Sequence, residues 1–314
     1  MSKIIIGSRK SKLAMWQTYY VQERLEQAGL ATEIVTMETK GDKILNTSIA
    51  KIGSKGVFTE ELEEQLEGGR LDIAVHSAKD MPSRLPDGFE LIAFTAREKS
   101  NDVLVSHQRD LDLSDSGKNL VIGTSSVRRR ALLALHYPHV QCVDIRGNLQ
   151  TRVKKMKEGL CDAILLAYAG VHRMEMDELI VHTFPREQFV PPVGQGCVAI
   201  EAAASLAPEK KELIRAALNN KESETCLLAE RGYLKRLEGG CSIPAFAYAT
   251  LTPQGEINLT AGLVGLAGTP HIREEISGPA SQAADLGESL GQTILNQGGD
   301  FLLAQIRAQQ AEEQ

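Results

Sequence analysis

Twice in its first two-thirds the chain alternates short apolar runs with amphipathic stretches, and this rhythm restricts the fold more than any other feature. The first round reads as strand Ile4–Gly7, helix Ser11–Ala28 ended by Gly29, strand Thr32–Met37, helix Thr59–Glu67 stopped by Gly68 and Gly69, and strands Leu71–His76 and Phe89–Thr95. The second reads as strands Asp102–Ser106 and Leu120–Ile122, helix Val127–Tyr137, strand Val140–Ile145, helix Asn148–Glu158 and strand Asp162–Ala167. Such alternation predicts an α/β architecture of mostly parallel, helix-covered sheets, arranged as two lobes with a cleft. Pro191–Gly196 punctuates the chain, and strand Val198–Glu201 and a helix from about Pro208 follow. After Asn219 the character changes. Helix Ser223–Leu237, strands Ala245–Thr250, Ile257–Val264 and Ile272–Ile276, and helix Ala280–Asn296 predict a third, α+β domain.

Charge and composition narrow the function. The chain has 314 residues with a formal net charge of −6, opposite to the usual balance of a nucleic-acid binder, and aromatics at 4% give little stacking surface for single strands. An acidic protein that binds anions must concentrate positive charge locally. The apolar run at Ile4–Ile6 is too short for a signal peptide or a membrane span. Five widely spaced cysteines (Cys142, Cys161, Cys197, Cys226, Cys241) do not form a disulfide framework, so reduced thiols in a cytoplasm are expected. There is no phosphate-binding P-loop, no dinucleotide fingerprint and no Cys-x-x-Cys, and no metal is expected.

Positive charge is concentrated where a helix does not want it. Gly123-Thr124-Ser125-Ser126-Val127-Arg128-Arg129-Arg130 joins a strand to a helix, with Ser126 as N-cap and three arginines in the first turn. A helix start is already partly positive and favours acids. The arrangement becomes favourable when an anion sits there, met by free N–H groups, hydroxyls and guanidinium forks. Arg146 before the Asn148 cap, Arg152 in the turn after it, and Ser8-Arg9-Lys10-Ser11-Lys12 before the first helix repeat the pattern. All three junctions follow strands, whose carboxyl ends are where open α/β sheets bind ligands. A solvated basic face accounts for any single junction, and Lys154, Lys155 and Lys157 read that way. Three junctions with the same inverted charge favour an anion site.

Two further residues stand out. Asp80 in Val75-His76-Ser77-Ala78-Lys79-Asp80-Met81-Pro82 lies just past a strand end beside Lys79. It is suited to stabilising developing positive charge, although spacing alone favours an Asp–Lys pair closing a turn. Cys241 in Leu237-Glu238-Gly239-Gly240-Cys241 lies in a glycine turn, open to use as a nucleophile or an attachment point. A cysteine-dependent acyltransferase needs a histidine base there, and none is obviously placed. A non-catalytic carboxylate-binding protein would use the arginines but not Cys241.

Val75–Asp80, Gly123–Arg129, Arg146-Gly147-Asn148, Val193-Gly194-Gln195-Gly196 and Leu237–Cys241, in this order and spacing, resemble the hydroxymethylbilane synthase family, also called porphobilinogen deaminase, over essentially the whole chain. The resemblance implies an α/β fold of two lobes like type II periplasmic binding proteins, plus a small α+β C-terminal domain with a three-stranded antiparallel sheet. It places domain 1 at 1–98 and 197–217, domain 2 at 99–196, and domain 3, carrying the cofactor cysteine, at 218–314. It implies that four porphobilinogen molecules are joined head to tail with loss of ammonia, on a dipyrromethane cofactor held by a thioether to Cys241. Asp80 then corresponds to the catalytic aspartate. Lys79, Ser126, Arg128, Arg129 and Arg146, with Asp80 and Cys241, correspond to cofactor-binding positions. Arg9, Ser11, Arg146, Arg152, Arg173 and Gln195 correspond to substrate-binding positions. Glu38–Gly56 resembles a mobile lid, with Asp42, Lys55 and Phe58 at matched positions. The implied protein is a cytoplasmic monomer acting on a small molecule, with no nucleic acid, membrane or metal partner. Lys12, Arg130, His172 and Cys197 depart from the family's usual residues.

Overall fold

The structure, a computed structural model, describes residues 3–39, 59–240 and 242–312. The chain divides into two compact units, Met1–Glu98 with Gly194–Thr225, and Lys99–Val193 with Cys226–Gln314.

In the first unit, strands β1 (Ile4–Arg9), β2 (Thr32–Met37), β3 (Ile73–Ser77), β4 (Phe89–Phe94) and β10 (Val198–Ala203) form one sheet in the order β2-β1-β3-β10-β4. β1 runs parallel to β2 and β3, whereas β10 runs antiparallel to both β3 and β4. Helix α1 (Lys12–Gln27) begins at Ser11, whose Oγ accepts the Ala14 N–H at 3.3 Å, and stops at Gly29, in the left-handed region at φ +80°. Its buried residues Gln17, Thr18, Val21 and Leu25 recur at helical spacing. They cover the sheet face formed by Ile4, Ile6, Ile73 and Val75. Alternate strand residues face the other way, where helix α2 (Glu60–Glu67) contributes Leu62 and Leu66 against Ala74 and Ala203. On that side His76 Nε2 lies 3.0 Å from Glu201 Oε2, both side chains buried, tying β3 to its antiparallel neighbour. Helix α6 (Pro208–Leu218) follows β10.

In the second unit, β5 (Asp102–Val105), β6 (Val121–Gly123), β7 (Gln141–Val143), β8 (Ala163–Ala167) and β9 (Ile180–Thr183) repeat the plan in the order β7-β6-β8-β5-β9. Again four strands are parallel and the fourth in spatial order, here β5, is antiparallel. Helices α3 (Val127–His136), α4 (Leu149–Lys157) and α5 (Tyr168–Arg173) follow β6, β7 and β8. Helix α7 (Lys221–Arg236) then leads to the antiparallel sheet β11 (Ala245–Leu251), β12 (Glu256–Val264) and β13 (His271–Pro279). That sheet is backed by α8 (Ala283–Ile294) and α9 (Asp300–Glu312). Phe246 and Val264 from this sheet lie in one apolar cluster with Leu104, Leu132, Phe184 and Phe189, which explains why the two parts of the second unit share a core.

The expected α/β architecture with a three-stranded antiparallel sheet is therefore present. Three elements lie beyond the sequence reading: α5, β9 and α9. α5 is six residues long and holds a glycine, β9 is half-buried at every position, and α9 shows an apolar stripe of only Leu302, Leu303 and Ile306. Among the described residues no helix is long and apolar enough to cross a membrane.

Burial lowers the proton affinity of His136, His182 and His271, and nearby His136 and Arg273 lower that of His271 further. The folded protein therefore binds protons on these imidazoles less readily than the unfolded chain, whose histidines titrate near about pH 6.5, so stability is lost as pH falls through and below that value. The double variant His136→Gln, His271→Gln is expected to lose less stability between pH 7 and pH 5 than the wild type, measured as the shift in urea midpoint. Equal shifts would contradict the assignment.

Candidate active site

In the first unit the parallel strands β1 and β3 end side by side, and antiparallel β10 begins at the same edge. The residues leaving β1 are half-buried Arg9 and Ser11, and exposed Lys12 opens α1. β3 runs into a 3-10 turn, Ala78–Asp80, that places Lys79 half-buried and Asp80 exposed. The segment before β10 supplies Gln195, 1% exposed, whose Oε1 accepts from Lys79 Nζ at 3.3 Å. Gly194 and Gly196 frame it at φ +75° and +95°. A Cβ at Gly194 would sit 3.0 Å from the Ala78 carbonyl carbon and Cβ, so only glycine lets this segment close onto the turn. The Ala78 N–H donates to the Cys197 carbonyl at 3.0 Å, and Gln17 Nε2 donates to Ser77 Oγ at 2.9 Å. Lys79, Asp80 and Gln195 are thus brought together, on the sheet edge that also carries Arg9 and Ser11.

In the second unit Ser126, Asn148 and α5 follow the ends of β6, β7 and β8, so Ser126, Arg128, Arg129, Arg146, Arg152 and Arg173 all lie after the carboxyl ends of one sheet. Ser126 caps α3, its Oγ 3.5 Å from the Arg129 nitrogen, and Asn148 caps α4 by accepting the Thr151 N–H at 2.9 Å. Ser125 Oγ bridges the two junctions, donating to the Ile145 carbonyl and accepting the Ile145 N–H at 3.0 and 3.1 Å. Gly147, at φ +110°, lets the chain turn between Arg146 and the cap. Arg146 and Arg152 are half-buried, with Arg152 Nε donating to the Gly147 carbonyl at 2.8 Å, and Arg173 is buried.

The three arginines of α3 have different surroundings. Arg128 and Arg129 are buried and both pair with Asp102, a residue the sequence reading passed over. An acid opening an apolar strand needs a cation, which was the available signal. Arg130 is exposed and meets Asp144 at 2.8 Å on the surface. Cys241, Asp42, Lys55 and Phe58 lie outside the described residues. Of the turn that contains Cys241, Glu238 has φ +50° and Arg307 Nη2 donates to the Leu237 carbonyl at 3.3 Å. No cluster of histidine, cysteine and acidic side chains suited to a metal occurs among the described residues.

Two α/β sheets of the same strand order, each with side-chain-capped helix starts and arginines at its carboxyl edge, define the class of architecture to which this protein belongs. Residues 4–211 match the family model for the porphobilinogen deaminase dipyrromethane cofactor binding domain, and 224–296 match the porphobilinogen deaminase C-terminal domain. The chain is 65% identical to a porphobilinogen deaminase of Desulfosudis oleivorans, covering 98% of this chain and 99% of that one, and 52% identical to one of Cytophaga hutchinsonii, covering 98% of each. Among solved structures it is similar to the periplasmic VFT2 domain of Bordetella pertussis BvgS, at 14% identity over 68% of this chain and 86% of that chain, with a TM-score of 0.42. The chain belongs to the porphobilinogen deaminase family.

Gly194→Ala should strain the backbone and push on the Ala78–Lys79 turn, lowering turnover by about ten- to 100-fold. Gly29→Ala, at φ +80° with nothing within 4 Å of the added carbon, should cost stability alone. Melting temperature and kcat, measured for both, separate turn displacement from backbone strain.

Proposed function

We propose that this chain joins four porphobilinogen molecules into the linear tetrapyrrole hydroxymethylbilane, releasing ammonia at each addition and consuming one water to free the product from the retained cofactor, with Asp80 as its catalytic carboxylate and Cys241 as the thioether anchor of a dipyrromethane cofactor. The observation that carries the reading is the Ala78–Asp80 turn, fixed by Gly194 and Gln195 at the carboxyl edge of the first sheet. The donor set suits the cofactor: two capped helix starts, half-buried Arg146 and Arg152 and buried Arg173 make a field for carboxylates, and each pyrrole unit bears an acetate and a propionate.

Bound dipyrromethane supplies the pyrrole carbon on which the product is built. Around it the chain's own residues divide the work. Arg9 and the α1 start at Ser11 take carboxylates of the incoming substrate. Ser126, Arg128, Arg129 and Arg146 serve those of the cofactor, and Arg152 and Arg173 those of the substrate. Lys79, steadied by Gln195, neutralises one cofactor carboxylate beside Asp80. The Asp80 carboxylate would stabilise the positive charge that develops on the substrate's pyrrole as ammonia leaves, and help move the proton. Asp42, Lys55 and Phe58 belong to a lid over this chemistry.

The chain is a transferase of tetrapyrrole biosynthesis. We read it as a cytoplasmic monomer, with Cys142, Cys161, Cys197 and Cys226 in no disulfide, as suits a reducing compartment. Its net charge of −6 disfavours nucleic acid. Within the second unit we assign 99–196 and 218–314 to separate domains, and 197–217 to the domain of 1–98.

The mass of the intact protein should exceed the chain mass by two porphobilinogen units less two ammonia molecules, one for each bond formed, and Cys241→Ser should abolish the excess. An active enzyme of unmodified mass would sink the thioether. Asp80→Asn, at an exposed position, should leave melting unchanged and cut turnover by about 100-fold or more. Turnover near wild type in that variant would refute the role of Asp80.

A further inference from the structure

Arg128 and Arg129 occupy the second and third positions of α3, where the helix already contributes partial positive charge. Both are buried, and so is Asp102, the first residue of β5. Asp102 Oδ2 accepts from Arg128 Nη2 at 2.6 Å, and Oδ1 accepts from Arg129 Nε and Nη2 at 3.1 and 2.8 Å. The remaining terminal nitrogens are directed to backbone, with Arg128 Nη1 donating to the Val190 carbonyl and Arg129 Nη1 to the Leu165 carbonyl, each at 2.9 Å. Each guanidinium plane is therefore fixed from two sides. Two buried cations and one buried anion leave a net +1 at a helix start, and burial of that surplus without a counter-charge is costly. The buried Arg128 Nε makes no hydrogen bond among the described residues, so the triad's donors are not all satisfied from within the protein.

We propose that Asp102 is a positioning residue: it locks Arg128 and Arg129 into one rigid group of net charge +1 at the start of α3, and a carboxylate of the bound pyrrole ligand supplies the balancing charge. The proposal rests on the reading that this helix start holds the cofactor. It differs from a picture of two independent arginine forks, because the fork of Arg129 is already occupied by Asp102. Arg130, outside the triad and paired with Asp144 on the surface, takes no part.

The test compares full-length Asp102→Glu and Asp102→Asn with the wild type by intact mass, thermal melting, and kcat and KM for porphobilinogen. Asp102→Glu keeps the charge but moves the carboxylate by about one carbon–carbon bond. It should fold, yet its adduct-bearing fraction, or kcat of that fraction, should fall by about tenfold or more with KM little changed. Asp102→Asn, of the same size but without the charge, should fall further, in folded protein as well as in total yield. Arg130→Gln should load and turn over as the wild type does. Folded Asp102→Glu and Asp102→Asn with wild-type adduct fraction and kcat would overturn the proposal, leaving Asp102 a packing residue. A wild type without adduct contradicts the cofactor reading instead. The triad is then judged by calorimetric titration with porphobilinogen, where about tenfold weaker binding to Asp102→Glu supports it and equal affinity overturns it.

Discussion

Strand direction is the constraint from which the rest of the molecule follows. A parallel sheet sends every strand's carboxyl end to one edge, and with it every following helix start. Each α/β sheet here adds one antiparallel strand, which begins at that same edge. β10 brings Gly194–Gly196 to the turn after β3, and β5 brings Asp102 to the start of the helix after β6. Without the antiparallel strand, Lys79 would lack Gln195 and the two α3 arginines would lack their carboxylate. The repeated strand order is therefore also a repeated way of delivering a supporting residue to a helix start or turn.

Electrostatics at these edges favours an anion for the same reason in both units, but the individual arginines act differently. Arg128 and Arg129 build charge into the core, where screening by salt is weak and the field is strong. Arg130 faces water beside Asp144, a pair that contributes little. The departure at His172 is likewise local: the ring stacks on Tyr168 at 5.4 Å and its Nδ1 lies 3.0 Å from Asp177, whereas the neighbouring Arg173 is buried. Cys197 lies under Arg97, with Sγ 3.4 Å from Nε, and the bond it gives the Ala78 turn is through its backbone carbonyl. A small side chain is all that contact asks for, so cysteine in place of alanine leaves the turn intact.

The sheets, the caps at Ser126 and Asn148, and the arginine junctions could be read in the sequence because each has a local cause: apolar period, a side-chain oxygen before a helix, or a charge where the helix dipole opposes it. Strand polarity was not legible. Asp102–Val105 and Val198–Ala203 look like the parallel strand Ala163–Ala167, since all three are buried on both faces, and only pairing sets their direction. Asp102 was missed for the same reason. An acid at the head of an apolar strand calls for a cation, but its partners lie 26 and 27 residues away and nothing local says which cations they are. Short elements such as α5 escaped because six residues do not establish a helical period.

Lys79 and Asp80 show why proximity in sequence was a poor guide to their pairing. A turn closed by an Asp–Lys ion pair was an adequate account of the two residues alone. In the structure Lys79 is instead hydrogen-bonded to Gln195, 116 positions later, and Asp80 is exposed. The turn does not need that ion pair to close, because Met81 N donates to the Ala78 carbonyl and Ala78 N to the Cys197 carbonyl. An acid that plays no part in holding its own turn can be exchanged for its amide with little effect on folding. Its carboxylate is left to act on whatever positive charge approaches the edge of the sheet, which is the property a catalytic aspartate at this position requires.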